Sequence, residues 1–220
     1  MRVSGITCLA ISLATASWAA TKAHVIAFGK WTAVPWVAGV EAEEKPSSIK
    51  IRALVVDGRV KEYMLGVPHE VTDRLFVVRR VFRVNDSLPE DATLRWQWQR
   101  GGWLLVDRVT GKVSAINLPE YDALYSAASW YRDYVAYCGV SDDGKKVSAV
   151  VVQLNRRKPV LKKSLSKGLP DNAEPDSACL VPVWQRGPMR VSFEVGGGKQ
   201  TFAIRGHVVD LVNDEEESEE

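Results

Sequence analysis

Tryptophans flanked by amide and basic side chains are the residues of this sequence whose types and spacing best suit ligand binding. In a strand, the stretch RWQWQRGGW would place Trp96 and Trp98 on one face and Gln97 and Gln99 on the other. Exposed indole rings stack on the C–H faces of sugars, while amide and guanidinium groups bind the hydroxyls. The candidate ligand-binding residues are therefore Trp96, Gln97, Trp98, Gln99, Arg100, Trp130 and Arg132.

The motif Trp, any residue, Arg occurs three times, each time ahead of a stretch that predicts a hairpin with Gly and Lys in its turn. The pairs are Trp98 with Arg100, Trp130 with Arg132, and Trp184 with Arg186. A signature that recurs at equivalent places favours packing over ligand binding, because each unit then needs the same joint with its neighbour. We therefore expect the tryptophans to fill the core or the seams between hairpins. On this interpretation Trp96→Ala lowers the melting temperature and leaves any glycan affinity unchanged.

The titratable residues form no recognisable catalytic or metal-binding motif. None of His24, His69 and His207 has a second ligand at a metal-binding spacing, and HEVTD has Asp73 where a zinc protease needs its second His. We therefore expect no metal and no cofactor. Acids in loops could still meet in the fold, and the candidates are Glu120, Asp122, Asp142 and Asp143.

The charge balance argues against a nucleic-acid-binding protein. The chain has 29 basic and 27 acidic residues, and without an N-terminal leader and an acidic tail 27 basic and 21 acidic residues remain. This modest excess does not supply the dense basic stripe that nucleic-acid binding requires. The basic run from Arg156 to Lys163 either binds polyanions or, as we favour, forms an edge strand that charge and Pro159 protect from aggregation.

The first residues have the layout of a secretory signal peptide. Arg2 gives the positive start, residues 6–16 form a short apolar stretch, and small residues favour cleavage near Ala19 or Ala23. The apolar stretch is much shorter than the roughly 20 residues that span a bilayer. We therefore expect a cleaved leader over residues 1–23 rather than a retained anchor.

Downstream of the leader, we expect a single β domain over residues 24–212 and an acidic, disordered tail over 213–220. Two cysteines, Cys138 and Cys179, remain in the exported chain. In an oxidising compartment such a pair most simply forms one disulfide, worth roughly 3–4 kcal/mol. The alternative is two independent buried thiols. We expect the disulfide, in a secreted or periplasmic protein with no stable membrane span after processing.

Extended segments rich in Val, Ile, Phe, Tyr and Trp alternate with glycine-containing turns. Residues 75–84 predict a long strand, and AVVVQL, residues 149–154, barely alternates, which predicts a strand covered on both faces. Residues 119–127 carry helix signals, because Pro119 suits a first helical position. Hairpin turns are expected at Asp57-Gly58, Thr110-Gly111, Asp143-Gly144 and Gly196–Gly198.

One of these units combines an aromatic residue, a strand, an Asp-Gly turn and a second strand. Its residues are Trp130, Val135, Ala136, Tyr137, Asp143 and Gly144. This order resembles the blades of TolB-like and WD40-like β-propellers, and the resemblance implies a small propeller. A β-sandwich or open barrel of successive hairpins is the alternative. In either case the fold class is all-β, built from serial antiparallel hairpins.

These observations favour a non-catalytic binding or structural module of the cell envelope or extracellular space, whose partner is a protein or a glycan. The alternative is a polysaccharide-active hydrolase or lyase that uses the loop carboxylates. Such an enzyme should show a cleft with two carboxylates about 5–10 Å apart. A third possibility, an accessory subunit, would leave an unpaired edge strand or an exposed apolar patch.

Overall fold

The protein is all-β in the part that the structure describes. A computed structural model describes residues 23–36, 47–90, 92–166, 179–205 and 208–212. No helix occurs in these ranges, which confirms the predicted fold class. The strands are β1 (Ile26–Phe28), β2 (Thr32–Trp36), β3 (Ser47–Val56), β4 (Arg59–Glu70), β5 (Leu75–Asn85), β6 (Trp96–Asp107), β7 (Val113–Ile116), β8 (Ala128–Tyr131), β9 (Tyr134–Val140), β10 (Val147–Gln153), β11 (Leu161–Ser166), β12 (Val183–Arg186), β13 (Met189–Val195), β14 (Gly198–Arg205) and β15 (Val208–Val212).

Three sequence predictions concern residues outside these ranges. They are the leader up to residue 22, the acidic tail over 213–220, and the part played by His207. Among the described residues, none lies in a helix long and apolar enough to span a membrane.

The first sheet contains β1 to β7 and closes on itself. Strands β2 to β6 pair antiparallel in succession, and Trp36 of β2 then lies beside Trp98 of β6 in a parallel contact that completes the ring. Strand β5 is buried on both faces: Val78 packs in one core cluster and Val81 in another. Arg79 therefore shares the face of β5 on which Val81 lies, because alternate residues point to the same side.

The second and third sheets are four-stranded antiparallel meanders, β8 to β11 and β12 to β15. The second sheet lies between the other two. Val150 and Val152 of β10 pack towards the first sheet, with Trp103, whereas Ala149 and Val151 pack towards the third. Strand β10 is thus covered on both faces, as the lack of alternation in its sequence predicts.

The predicted hairpin turns are confirmed. The β3–β4 turn has positive φ at both Asp57 and Gly58, 52° and 75°, which the two-residue turn between twisted strands requires. Turns also lie at the other three predicted positions. The sheets fit serial antiparallel hairpins but do not clearly form a propeller, because the first sheet closes into a ring instead of forming separate four-stranded blades.

The helix expected over residues 119–127 is not present, and the segment forms turns between β7 and β8. Asp122 explains the difference: its side chain accepts hydrogen bonds from the backbone amides of Leu124 and Tyr125, at 2.7 and 3.1 Å. Such local bonds offer the backbone an alternative to a helix. The edge-strand prediction for the basic run holds only for its last three residues: Leu161 to Lys163 lie in β11, an edge strand of the second sheet, whereas Pro159 precedes the strand.

Candidate functional site

A pocket opens where the first sheet, the β7–β8 connection and the residues before β12 meet. This junction pocket has a volume of about 570 Å³, within the range of ligand sites. None of the described residues that line it is acidic. Its walls include Lys50, Arg79, Arg100, Trp103, Ser126 and Cys179.

Arg79 is the most buried of the cations in the pocket, with only 8% of its surface exposed. Its guanidinium donates hydrogen bonds to the hydroxyl of Tyr121 and, at 2.8 Å, to the carbonyl oxygen of Ala123. Both acceptors are neutral, and Nε makes no hydrogen bond to any described residue. Burial lowers the pKa of Arg79 and the neighbouring charge of Arg100 lowers it further, whereas Tyr121 and the carboxylate of Asp122 offset part of this shift. An arginine stays charged in proteins.

Two further cations line the same pocket. The guanidinium of Arg100 lies 4.8 Å from the centre of the Trp36 ring, so the indole covers one side of this charge. Lys50 lies in β3 between Ile49 and Ile51, which pack with Val81, so its exposed side chain starts from the other face of the strand. The three cations raise the local concentration of anions, and their effect is strongest at the buried end of the pocket, where screening by water is weakest.

A bulge in β6 brings Arg100 and Trp103 to one face. Residues three apart in a regular strand point to opposite faces. Here Trp103 pairs with Arg79 and Arg100 pairs with Val81. Between these two pairs β6 contains one residue more than β5, which defines a β-bulge. The extra residue is one of the two glycines of the bulge, Gly101 and Gly102. The bulge is tightly packed, because a Cβ added at Gly101 would lie 3.2 Å from the Phe82 ring.

The remaining walls are fastened to the second sheet. The hydroxyl of Ser126 donates to the carbonyl oxygen of Cys138 at 2.6 Å, which holds the β7–β8 connection. The predicted disulfide is also present: Cys138 is joined to Cys179, with Cα atoms 6.3 Å apart. This disulfide indicates an oxidising environment, and it places residues 179–181 at the mouth of the pocket.

The mouth of the pocket is apolar and exposed. Its four apolar side chains are between 40% and 83% exposed, and they are Val67, Leu124, Leu180 and Val181. Scattered exposed apolar residues are ordinary, but several around one cavity mark an interaction site. The pocket thus combines a cationic interior with an apolar mouth.

Only Arg100 of the predicted ligand-binding residues lines this pocket. Trp96 and Trp98 lie elsewhere on one face of β6, as predicted, with the Arg83 guanidinium 5.0 and 5.8 Å from their ring centres. The side-chain amide of Gln97 donates a hydrogen bond to the Asp86 carboxylate at 2.8 Å. Gln99 is exposed and lies on the face of β6 opposite to Trp96 and Trp98. The pocket side chains that sequence reasoning missed are Lys50, Arg79 and Trp103.

Trp130 lies in the seam between the first and second sheets. Its ring stacks on His69 at 5.9 Å and meets Trp103 edge-on at 5.3 Å. Arg132 occupies the β8–β9 turn with a φ of 52°, and its carbonyl oxygen lies 2.8 Å from Nε2 of His69. These contacts agree with the expected packing role of the tryptophans. Trp96 departs from it, since it is 50% exposed.

Three of the four candidate catalytic acids have structural partners. Glu120 pairs with Lys162 at 2.7 Å, and Asp122 holds the β7–β8 turns. Asp143 accepts from the hydroxyl of Ser141 at 2.7 Å within the β9–β10 turn. Within the ranges that the structure describes, no three His, Cys, Asp or Glu side chains come together as a possible metal site.

Comparisons with known proteins return no match. No family model matches the chain, and neither the curated proteins nor the solved structures contain a match.

Proposed function

We propose that the protein is an exported, non-catalytic binding module that holds an anionic partner at the junction pocket. The observation that carries the proposal is the pocket itself, in which Lys50, Arg79 and Arg100 line one cavity with no acid among the described lining residues. The disulfide and the signal-peptide layout of the first residues support export.

The position of Arg79 supports binding on energetic grounds. A guanidinium removed from water is costly unless a counter-charge and hydrogen bonds compensate for the lost hydration. The hydrogen bonds of Arg79 go to the neutral groups of Tyr121 and Ala123. The carboxylate of Asp122 offsets part of this cost. A carboxylate or phosphate bound in the pocket would add a counter-charge that makes charge-assisted hydrogen bonds with the guanidinium.

The enzyme alternative receives less support. Three of its four candidate acids, Glu120, Asp122 and Asp143, already serve ion pairs or turns. None of the four is among the described residues that line the junction pocket. A binding role therefore accounts for more of the observed contacts than a catalytic one.

Isothermal titration calorimetry tests the proposed function. A carboxylate-bearing peptide, a glucuronate oligosaccharide and inorganic phosphate are titrated into the wild type, the Lys50→Gln/Arg100→Gln variant and the control Arg83→Gln, which changes a cation outside the pocket. We expect at least one anion to bind, the double variant to lose that binding, and the control to keep it. Binding by none of the three anions, or binding that the double variant retains, contradicts the proposal.

A further inference from the structure

A second cavity adjoins the junction pocket. It has a volume of about 500 Å³ and is lined by Trp31, Ala33, Lys50 and Gly66. Lys50 and Gly66 also line the junction pocket, so the two cavities share this pair of residues. A ligand long enough to pass over Lys50 and Gly66 would reach from the cationic interior to the half-exposed ring of Trp31.

The wall between the two cavities offers backbone groups. Strand β4 pairs with β5 at Leu65 and again at His69, and the intervening residues 66–68 pair with neither β3 nor β5 in the described ladders. Gly66 has a φ of 70°, a backbone conformation that residues with a side chain rarely adopt. Gly66 and Val67 carry backbone N–H groups, whereas Pro68 has none. An extended peptide can add to strand residues that lie outside a ladder, as in other modes of peptide recognition.

The lining of the junction pocket suits a peptide better than a sugar. Tyr125 and Ser126 are the hydroxyl-bearing side chains among its described lining residues, and Ser126 already donates to Cys138. Arg79, Arg100 and Trp103 can bind the hydroxyls and stack on the C–H face of a sugar, but a sugar would leave the apolar side chains of the mouth uncovered. The apolar mouth instead matches aliphatic side chains next to a charged group.

We infer that the ligand is an extended peptide that ends in a carboxylate, held with this carboxylate at Arg79 and Arg100 and its preceding residues along Lys50 and Gly66 towards Trp31. This inference rests on the proposed function and narrows the anion to the C-terminal segment of a partner protein. The apolar side chains of the last residues lie against Val67, Leu180 and Val181, where a protein partner covers them.

The inference is tested by fluorescence anisotropy with a labelled hexapeptide whose last three residues are apolar, titrated with the full chain. The peptide is made with a free C-terminal carboxylate and as the amide. Because bonds to charged groups are the stronger ones, we expect amidation to weaken binding about 10- to 100-fold. Lys50→Gln weakens binding of the acid, whereas Arg83→Gln leaves it unchanged.

A length series tests the second cavity. Trp31→Ala should weaken binding of the hexapeptide several-fold. Binding of a dipeptide with the same C-terminal residues should be unaffected, because only the longer peptide reaches Trp31. Since Trp31 and Lys50 are exposed, both variants are expected to fold, and the urea midpoint of each checks this.

Other outcomes separate this inference from the proposed function. Equal affinity for the acid and the amide would contradict the proposed role of the terminal carboxylate. An equal loss of affinity for the dipeptide and the hexapeptide in Trp31→Ala would contradict the proposed path of the peptide towards Trp31. Tighter binding of a glucuronate oligosaccharide or of octanoate than of every peptide would contradict a peptide ligand. The proposed function, an anion-binding module, would still hold. Binding of no anion overturns both.

Discussion

Ser126 donates from its hydroxyl to the carbonyl oxygen of Cys138 at 2.6 Å, and Cys138 is itself joined to Cys179. Two walls of the junction pocket, the β7–β8 connection and residues 179–181, are therefore fastened to one residue of β9. The pocket is built on the buried second sheet rather than on loops alone. Its shape should thus respond to changes at Cys138 and its two partners.

Replacement of Ser126 by Ala tests the first of these connections. Ser126 is 3% exposed, so water cannot easily replace the lost donor. We expect Ser126→Ala to lower the free energy of unfolding by about 1–2 kcal/mol in urea titrations. Ser48→Ala, at an exposed position of β3, serves as the control and should change stability little. Equal stability of the two variants would show that the Ser126 hydroxyl does not hold the connection.

Removal of the disulfide tests the second connection. The cysteines are 41 residues apart in sequence, and closure of a loop of this length stabilises a folded chain by roughly 3–4 kcal/mol. We expect Cys138→Ala/Cys179→Ala to lose about this much stability in urea. A reductant should destabilise the wild type and leave the double variant unchanged. Detection of both thiols in unreduced wild-type protein would contradict the disulfide.

The glycine pair in β6 provides a matched test of the bulge. A Cβ at Gly101 would lie 3.2 Å from the Phe82 ring, whereas a Cβ at Gly102 meets nothing within 4 Å. We expect Gly101→Ala to cost about 1–2 kcal/mol through overpacking and to weaken ligand binding by displacing Arg100. Gly102→Ala should be close to the wild type in both respects. Similar urea midpoints for the two variants would argue against tight packing at Gly101.

Much of the fold follows from local sequence signals. Asp57-Gly58 specifies its hairpin because the turn needs two positive φ values, and the apolar run in β10 predicts burial on both faces. Arg79 shows why the site does not follow in the same way. In the sequence it is one of two adjacent arginines in a long strand, and its burial arises from Tyr121 and Ala123, more than 40 residues away in the chain.

The bulge is an intermediate case. Gly101-Gly102 inside a strand is a signal for a bulge, and it could have indicated that Arg100 and Trp103 share a face. The sequence pattern instead drew attention to Trp96 and Trp98, because alternation treats a strand as regular. Which tryptophan is buried depends on the sheet that packs against it, and that contact is set by tertiary structure.

Trp130 and Trp96 provide a comparison between a tryptophan that packs between sheets and one that is exposed at the surface. Trp130 packs in the seam with His69 and Trp103, whereas Trp96 is half exposed beside Arg83. We expect Trp130→Ala to lower the free energy of unfolding by about 3 kcal/mol and Trp96→Ala by less than about 1 kcal/mol. Thermal unfolding of both variants measures the difference. An equal loss in the two would mean that exposure does not distinguish their roles.

The ion pair between Asp107 and Arg74 predicts a dependence of stability on pH. The Arg74 guanidinium donates to both carboxylate oxygens, with Nε 2.9 Å from Oδ1, and the backbone amide of Val109 donates to Oδ1 at 2.8 Å. These bonds, those from Arg74 above all, hold the pKa of Asp107 well below its ordinary value. In the unfolded chain the carboxyl titrates near its ordinary pKa of about 3.9.

Because the folded pKa is the lower one, Asp107 contributes its full stabilisation above about pH 5 and loses it as the pH falls through 4 and below. We expect the urea midpoint of the wild type to fall more steeply between pH 5 and about pH 2.5 than that of Asp107→Asn, which cannot ionise. Asp142→Asn, at an exposed position of the β9–β10 turn, should keep the wild-type pH dependence. Parallel profiles for the wild type and Asp107→Asn would mean that other carboxyl groups cause the acid sensitivity.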